Sequence, residues 1–87
     1  MVPSMPILPD EKNKPLRYWV EQALEEYFQH LDDQHAKNVY DLVIKEAEIG
    51  LLNTVMRFAK GNQSKAANWL GIARGTLRKR LAEYGIE

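Results

Sequence analysis

The sequence predicts an all-α protein in which four helices follow a proline-rich arm. Apolar residues recur every three or four positions through the first half of the chain, which is the period of an α-helix. No segment alternates apolar and polar residues over the length of a strand. In the second half, asparagine and glycine stand where short helices would begin and end.

The chain has 87 residues and no cysteine, so we expect one small domain without disulfide bonds or thiolate metal sites. A domain of this size buries only about 60% of the surface that its unfolded chain exposes, which leaves a thin margin of stability. Association with a second chain is the remaining way to enlarge the core.

Residues 1–14 hold three of the four prolines, and we expect them to form an extended, mobile arm. The arm lacks the basic start and the unbroken apolar run of a secretory signal. The longest strictly aliphatic run of the chain, residues 42–44, is far too short to span a membrane. A cytoplasmic protein without membrane contact is therefore expected.

Residues 15–60 are predicted to form a core of two long helices. The first begins right after Pro15 and carries one apolar stripe; the second covers about residues 39–59 and is apolar over most of its circumference. A chain this short has little with which to cover such a helix, so a second copy is the expected cover. The residues predicted to mediate dimerisation are Trp19, Val20, Leu24, Tyr27, Val43, Ile44, Leu51, Leu52 and Val55.

Residues 61–87 have the organisation of a helix-turn-helix. A short helix over residues 63–70 carries two adjacent alanines, which let another helix approach closely. Gly71 supplies the turn. The last helix, over about residues 74–83, is anchored by two leucines four positions apart. This segment is the predicted DNA-binding unit.

The outward face of the last helix has the residue types that a helix needs in the major groove of DNA. At about 100° per residue, this face is centred on Gly75 and Lys79, which offer close approach and a cation. Arg74 lies at the N-terminal end, where recognition helices contact bases, and is the candidate for bidentate contact with guanine. The predicted DNA contacts are Asn62, Gln63, Ser64, Lys65, Arg74, Gly75, Thr76, Arg78, Lys79 and Arg80.

Charge is divided along the chain although the formal net charge is +0. The first 49 residues hold 10 acidic and 5 basic side chains, whereas the last 38 hold 2 acidic and 7 basic ones. A dimer would therefore present its basic halves to phosphate while the whole protein stays neutral.

The motifs of the second half resemble those of the Fis family, named for the factor for inversion stimulation. They are GNQSKAA at residues 61–67, RGTLRKRL at residues 74–81 and the final Tyr84-Gly85, and the resemblance extends back to about Lys14. It implies an intertwined homodimer whose two recognition helices lie closer together than one turn of straight DNA, so that bound DNA bends. By the same resemblance, the DNA contacts are Asn62, Ser64, Lys65, Arg74, Thr76, Arg78 and Lys79.

The resemblance further implies a nucleoid-associated global transcription regulator that binds degenerate, A/T-rich palindromic sites on double-stranded DNA, with RNA polymerase as a candidate partner. The sequence departs from the family at Ala73, where Asn is usual, and at Ala82-Glu83, which replace a Lys pair. Both changes affect expected specificity and affinity. The family's β-hairpin arms have no counterpart here, so contact with recombinase is not expected.

Two other classes of function remain open from the residues alone. An all-helical protein-interaction module would use the long apolar helix as its binding surface, with DNA binding only incidental. An enzyme or metal site would need more than His30 and His35 beside Asp32 and Asp33, which we interpret as a solvated loop. We therefore expect no catalytic residues, no metal and no cofactor.

Overall fold

The computed structural model describes residues 14–31 and 35–87, and the chain divides into two compact units, Met1–Val39 and Tyr40–Glu87. The described residues form four helices, as predicted: α1 (Leu16–Gln29), α2 (Val39–Phe58), α3 (Gln63–Leu70) and α4 (Arg74–Tyr84). None of them is long and apolar enough to cross a membrane. The all-α class is therefore confirmed, while all but the last residue of the predicted arm lies outside the described residues.

In the first unit, α1 begins directly after Pro15, whose extended backbone forms the N-cap and whose carbonyl accepts the Tyr18 amide at 3.0 Å. The helix ends at Gln29, two residues before its apolar stripe does. The backbone N–H of His30 closes the helix by donating to the Glu26 carbonyl at 3.2 Å.

None of the residues of α1 is fully buried in the chain. Leu16 and Phe28, at either end of the apolar stripe, are 46% and 47% exposed. The four α1 residues predicted to mediate dimerisation are partly exposed: Trp19, Val20, Leu24 and Tyr27. The apolar stripe of α1 is therefore partly exposed in the single chain.

In the second unit, one face of α2 packs with α3 and α4 in a single hydrophobic cluster. Its buried members are Leu52, Met56, Ala59, Ala66, Ala67, Leu77 and Leu81. The two small alanines of α3 let α4 approach closely, and Leu77 of α4 is completely buried as a result. The predicted helix-turn-helix is thus held on the C-terminal half of α2.

Leu52, which is predicted to mediate dimerisation, is buried within the single chain, and its part in a dimer stays a prediction. Leu52 is only 2% exposed, and Val55 packs against the same cluster. Within the chain, Leu52 anchors α2 to the helix-turn-helix. Nearly all of α2 lies in the same compact unit as α3 and α4. The predicted boundary at residue 60 separates a dimerisation core from a DNA-binding unit, and it stays a prediction.

A second apolar face of α2 is left open. We call it the exposed stripe: Tyr40, Ile44, Leu51 and Phe58, which are 76%, 44%, 49% and 66% exposed. At about 100° per residue, these four side chains fall within an arc of about 40°, well separated from the buried Leu52 and Met56. One apolar face of α2 thus packs against α3 and α4 of its own chain, and the other is exposed.

Two turns shape the helix-turn-helix. The side-chain oxygen of Asn62 accepts the Lys65 amide at 3.0 Å and so caps the start of α3. Gly71 ends α3 in the left-handed conformation (φ 76°), which glycine adopts without steric cost, and its N–H donates to the Ala67 carbonyl at 2.9 Å. Ala73 then begins α4 without a side-chain cap.

Candidate nucleic-acid interface

The outward face of α4 lies where the leucine spacing predicts it. Leu77 and Leu81 point into the core, and the six residues predicted to contact DNA are all exposed: Arg74, Gly75, Thr76, Arg78, Lys79 and Arg80. The first turn of α4 contains no acidic residue, and Ala73 supplies no capping oxygen. The positive end of this helix therefore stays open to an anion.

Gly75 is not required by the packing of its own chain. A Cβ atom placed there would meet nothing within 4 Å, and the backbone of Gly75 has no positive φ. Gly75 is the second residue of α4, and neither the packing nor the backbone conformation of the chain requires a glycine there. A ligand that approaches the helix backbone closely, such as a DNA groove wall, would explain the glycine.

The start of α3 forms the second part of the predicted interface. Asn62, Ser64 and Lys65 are exposed, whereas Gln63 is half-buried. The first turn of α3 has no acidic residue, so its amide groups and the Lys65 ammonium present positive charge. These groups suit a phosphate, which they would hold in place without reading sequence.

Lys65 also contacts the exposed Trp69 one turn further along α3. Its ammonium nitrogen lies 5.4 Å from the centre of the indole ring, within the range of a cation–π interaction. Trp69 is 53% exposed. The i, i+4 spacing of Lys65 and Trp69 is a sequence signal for this contact, although it was not among the predicted interactions.

Arg80 differs from the other cations of α4, because its guanidinium is held by carboxylates of its own chain. Its Nε lies 3.6 Å from Glu48 of α2, and its Nη1 donates to Glu83 at 3.2 Å. The Tyr84 hydroxyl donates to the other oxygen of the Glu48 carboxylate. Glu48 thus ties two side chains of α4 to α2.

The candidate residues for catalysis or metal binding are not assembled in the part of the chain that the structure describes. There, no group of three or more histidine and acidic side chains lies together. The His30 ring donates through Nδ1 to the Glu26 carbonyl at 2.9 Å. Asp32 and Asp33 lie outside the described residues, so the predicted solvated loop stays a prediction.

Comparison with known proteins places this helix-turn-helix in a family. A profile described as "Bacterial regulatory protein, Fis family" matches residues 43–84, and one described as "DNA-binding protein Fis N-terminal domain" matches residues 4–36. The chain is 51% identical over 74 residues to DNA-binding protein Fis of Actinobacillus succinogenes, a match covering 85% of this chain and 75% of that protein. This chain belongs to the Fis family. The resemblance found in the sequence is thereby confirmed.

Other relatives of this Fis-family chain match it to a similar extent. DNA-binding protein Fis of Haemophilus influenzae is 50% identical over 74 residues, which cover 85% of this chain and 75% of the relative. The protein of the same name from Proteus mirabilis is 51% identical over 73 residues, covering 84% and 74% of the two chains. The N-terminal profile begins at residue 4, so it includes much of the predicted arm.

Glu48 is a residue of this Fis-family chain that the sequence pattern did not reveal. Its contacts with Arg80 and Tyr84 join positions far apart in the sequence, so no local spacing predicts them. One signal was available, since the buried leucines of α4 place Arg80 toward the core side of the helix, where a neighbouring carboxylate can reach it. The contact of Arg80 with DNA stays a prediction.

We expect the Tyr84 contact to make the stability of this Fis-family chain fall at alkaline pH. The hydrogen bond to the Glu48 carboxylate, together with desolvation, raises the pKa of Tyr84 above its ordinary value of about 10. The stabilisation from this bond is then complete below about pH 10 and is lost as the pH rises through the raised pKa. Thermal unfolding of wild type and Tyr84→Phe between about pH 8 and 11.5 measures it, since the other tyrosines cancel in the difference. A difference that stays constant over this window would contradict the assignment.

Proposed function

We propose that this Fis-family chain is a homodimeric DNA-binding and DNA-bending protein that acts as a nucleoid-associated global transcription regulator in the bacterial cytoplasm. Its ligands are degenerate, A/T-rich palindromic sites on double-stranded DNA. The observation that carries this proposal is the exposed basic face of α4, anchored by buried leucines in a chain about half identical to proteins named DNA-binding protein Fis.

In the proposed complex, α4 enters the major groove, and both α3 and α4 contact the DNA. Arg74 reads a guanine edge, Arg78 and Lys79 neutralise phosphates, and Gly75 lets the helix approach closely. Ser64 and Lys65, with the amides at the start of α3, hold the flanking backbone. Contact with RNA polymerase would follow from the regulatory role.

Dimerisation is supported by the exposed stripe of α2 and by the uncovered apolar face of α1. Monomeric proteins rarely leave apolar side chains aligned and exposed along a helix, and a small chain gains stability by covering them. A second copy supplies the same apolar stripes and brings a second α4 to the DNA. Two recognition helices that are close together then require the duplex to bend, at a cost that their contacts offset.

A circular-permutation gel shift on an A/T-rich palindromic site tests binding and bending together. We expect a retarded complex whose mobility depends on the position of the site in the fragment. The amount of complex should fall steeply with salt, because each half-site releases counterions from several phosphates.

The other outcomes of the gel shift are informative. Retarded complexes of position-independent mobility would indicate a dimer that binds without bending. Weak binding that is insensitive to salt would indicate that the functional surface of the protein is not the basic face of α4, and would favour the protein-interaction module. The variant Lys45→Ala, which removes an exposed cation from α2 instead of the helix-turn-helix, controls for total charge.

A further inference from the structure

The contact between Glu48 and α4 joins an acidic residue of the core helix to a cation of the DNA-facing helix. The Glu48 carboxylate lies 3.6 Å from Arg80, and the side chains of Glu48 and Arg80 are 26% and 47% exposed. Glu83 also pairs with Arg80, but it is 46% exposed and lies on α4 itself, so water screens it more. Glu48 is thus the less exposed of the two anions that hold Arg80.

Arg80 follows two cations of α4, Arg78 and Lys79, whose surroundings differ from its own. Of the three consecutive basic residues 78–80, Arg80 alone pairs with a carboxylate among the described residues. Its long side chain is half exposed, so it can leave Glu48 by rotation of its own bonds while the helix stays in place. A DNA phosphate near this side of α4 would compete with the carboxylate for the same guanidinium.

We propose that Glu48 is an internal competitor of DNA that restrains Arg80 and thereby lowers the affinity of the helix-turn-helix for the phosphate backbone. This inference rests on the proposed DNA binding. Arg80 must exchange one anion for another when DNA arrives, so its contact with phosphate adds less to affinity than that of an unrestrained cation. Because backbone contacts carry no sequence information, the restraint suppresses binding to all sequences alike.

The variant Glu48→Gln separates the charge of Glu48 from its structural role. Glutamine keeps an oxygen that can accept the Tyr84 hydroxyl but loses the charge that holds Arg80. We expect Glu48→Gln to bind random and A/T-rich duplexes more tightly, on the order of fivefold, with a steeper dependence on salt. A merely structural role of Glu48 predicts weaker binding instead.

Two further variants make the measurement specific. Glu46→Gln removes the same charge from an exposed position of the same helix and controls for general repulsion of DNA. In an Arg80→Ala background, Glu48→Gln should give no more than the gain of Glu46→Gln, because the restrained cation is gone. Anisotropy titrations at several salt concentrations, with circular dichroism melts of each variant, provide the data.

The outcomes separate this inference from the proposed function. If the wild-type chain binds no DNA, both fail; if it binds and Glu48→Gln behaves as Glu46→Gln does, only the restraint is overturned. Should Glu48→Gln unfold, the wild-type chain gives the answer by nuclear magnetic resonance of the Arg80 Nε–H group. This resonance should shift when A/T-rich duplex is added, and an unmoved resonance in the saturated complex would overturn the restraint.

Discussion

Replacing Leu51 by glutamate is expected to convert the proposed dimer into a monomer. Leu51 lies near the middle of the exposed stripe of α2, is 49% exposed in the single chain, and takes no part in the core that holds the helix-turn-helix. A carboxylate there would be buried in the proposed interface at a cost of several kcal/mol in each copy. The dissociation constant of the dimer should then rise more than about 100-fold. Light scattering at micromolar concentration should give twice the chain mass of 10.1 kDa for wild type and 10.1 kDa for Leu51→Glu.

A matched variant tests whether position or charge is responsible. Asn53→Glu adds the same charge to an exposed position of α2 that is not part of the stripe, and it should remain dimeric. Circular dichroism separates dissociation from unfolding, since α2 to α4 keep their own hydrophobic cluster in each chain. A wild-type chain that is monomeric at micromolar concentration would contradict the dimer outright.

The same substitution should weaken DNA binding although Leu51 is remote in the sequence from every predicted contact. In a dimer, binding of one half-site holds the second recognition helix near the other half-site at high effective concentration. A monomer lacks this advantage and meets each half-site independently. The oligomeric state and the affinity for DNA are therefore expected to change together in Leu51→Glu.

The helix boundaries were predictable because local signals define them. α3 begins and ends at the predicted residues, since Asn62 caps one end and Gly71 adopts the left-handed conformation at the other. α2 and α4 differ from their predicted ends by one residue; Gly85 ends α4 in the left-handed conformation, whereas Lys60 and Gly61 both take positive φ after α2. Such signals act within one turn of chain, so a single sequence contains them.

The division of α2 into two apolar faces was only half predictable. Its composition indicates that most sides need cover, which led to the expectation of a second chain. The sequence does not indicate which leucines the helix-turn-helix of the same chain will cover, so Leu51 and Leu52 are predicted alike to mediate dimerisation. Only the packing of α3 and α4 against α2 separates the buried Leu52 from the exposed Leu51.

The candidate site shows the same limit. The spacing of Leu77 and Leu81 predicts which α4 side chains face outward, and the exposed positions agree. It does not predict that Arg80, at the edge of that face, meets Glu48, because that contact depends on how two helices cross. Periodicity therefore predicts faces, whereas pairs between helices require the fold.

Replacing Arg74 by alanine is expected to remove sequence preference as well as affinity. Arg74 is exposed at the first residue of α4, beside an N-terminus without a side-chain cap, which is where a recognition helix reaches base edges. Loss of a bidentate interaction with guanine should cost about 1 to 3 kcal/mol on a preferred site and much less on random duplex. Arg78→Ala should instead weaken binding to both duplexes by a similar factor and lower the salt slope by about 1 for each phosphate that is no longer neutralised.

Anisotropy titrations of both variants on the two duplexes, at several salt concentrations, measure this difference. Lys45→Ala, with its cation removed from α2, should leave the ratio of the two affinities as in wild type. If Arg74→Ala and Arg78→Ala reduced both affinities alike, Arg74 would be one more phosphate contact, and sequence preference would have to come from the deformability of the DNA. The methyl side chain of Ala73, the residue before α4, is too short to reach a base edge. Arg74 is therefore the first side chain at this end of α4 that can do so.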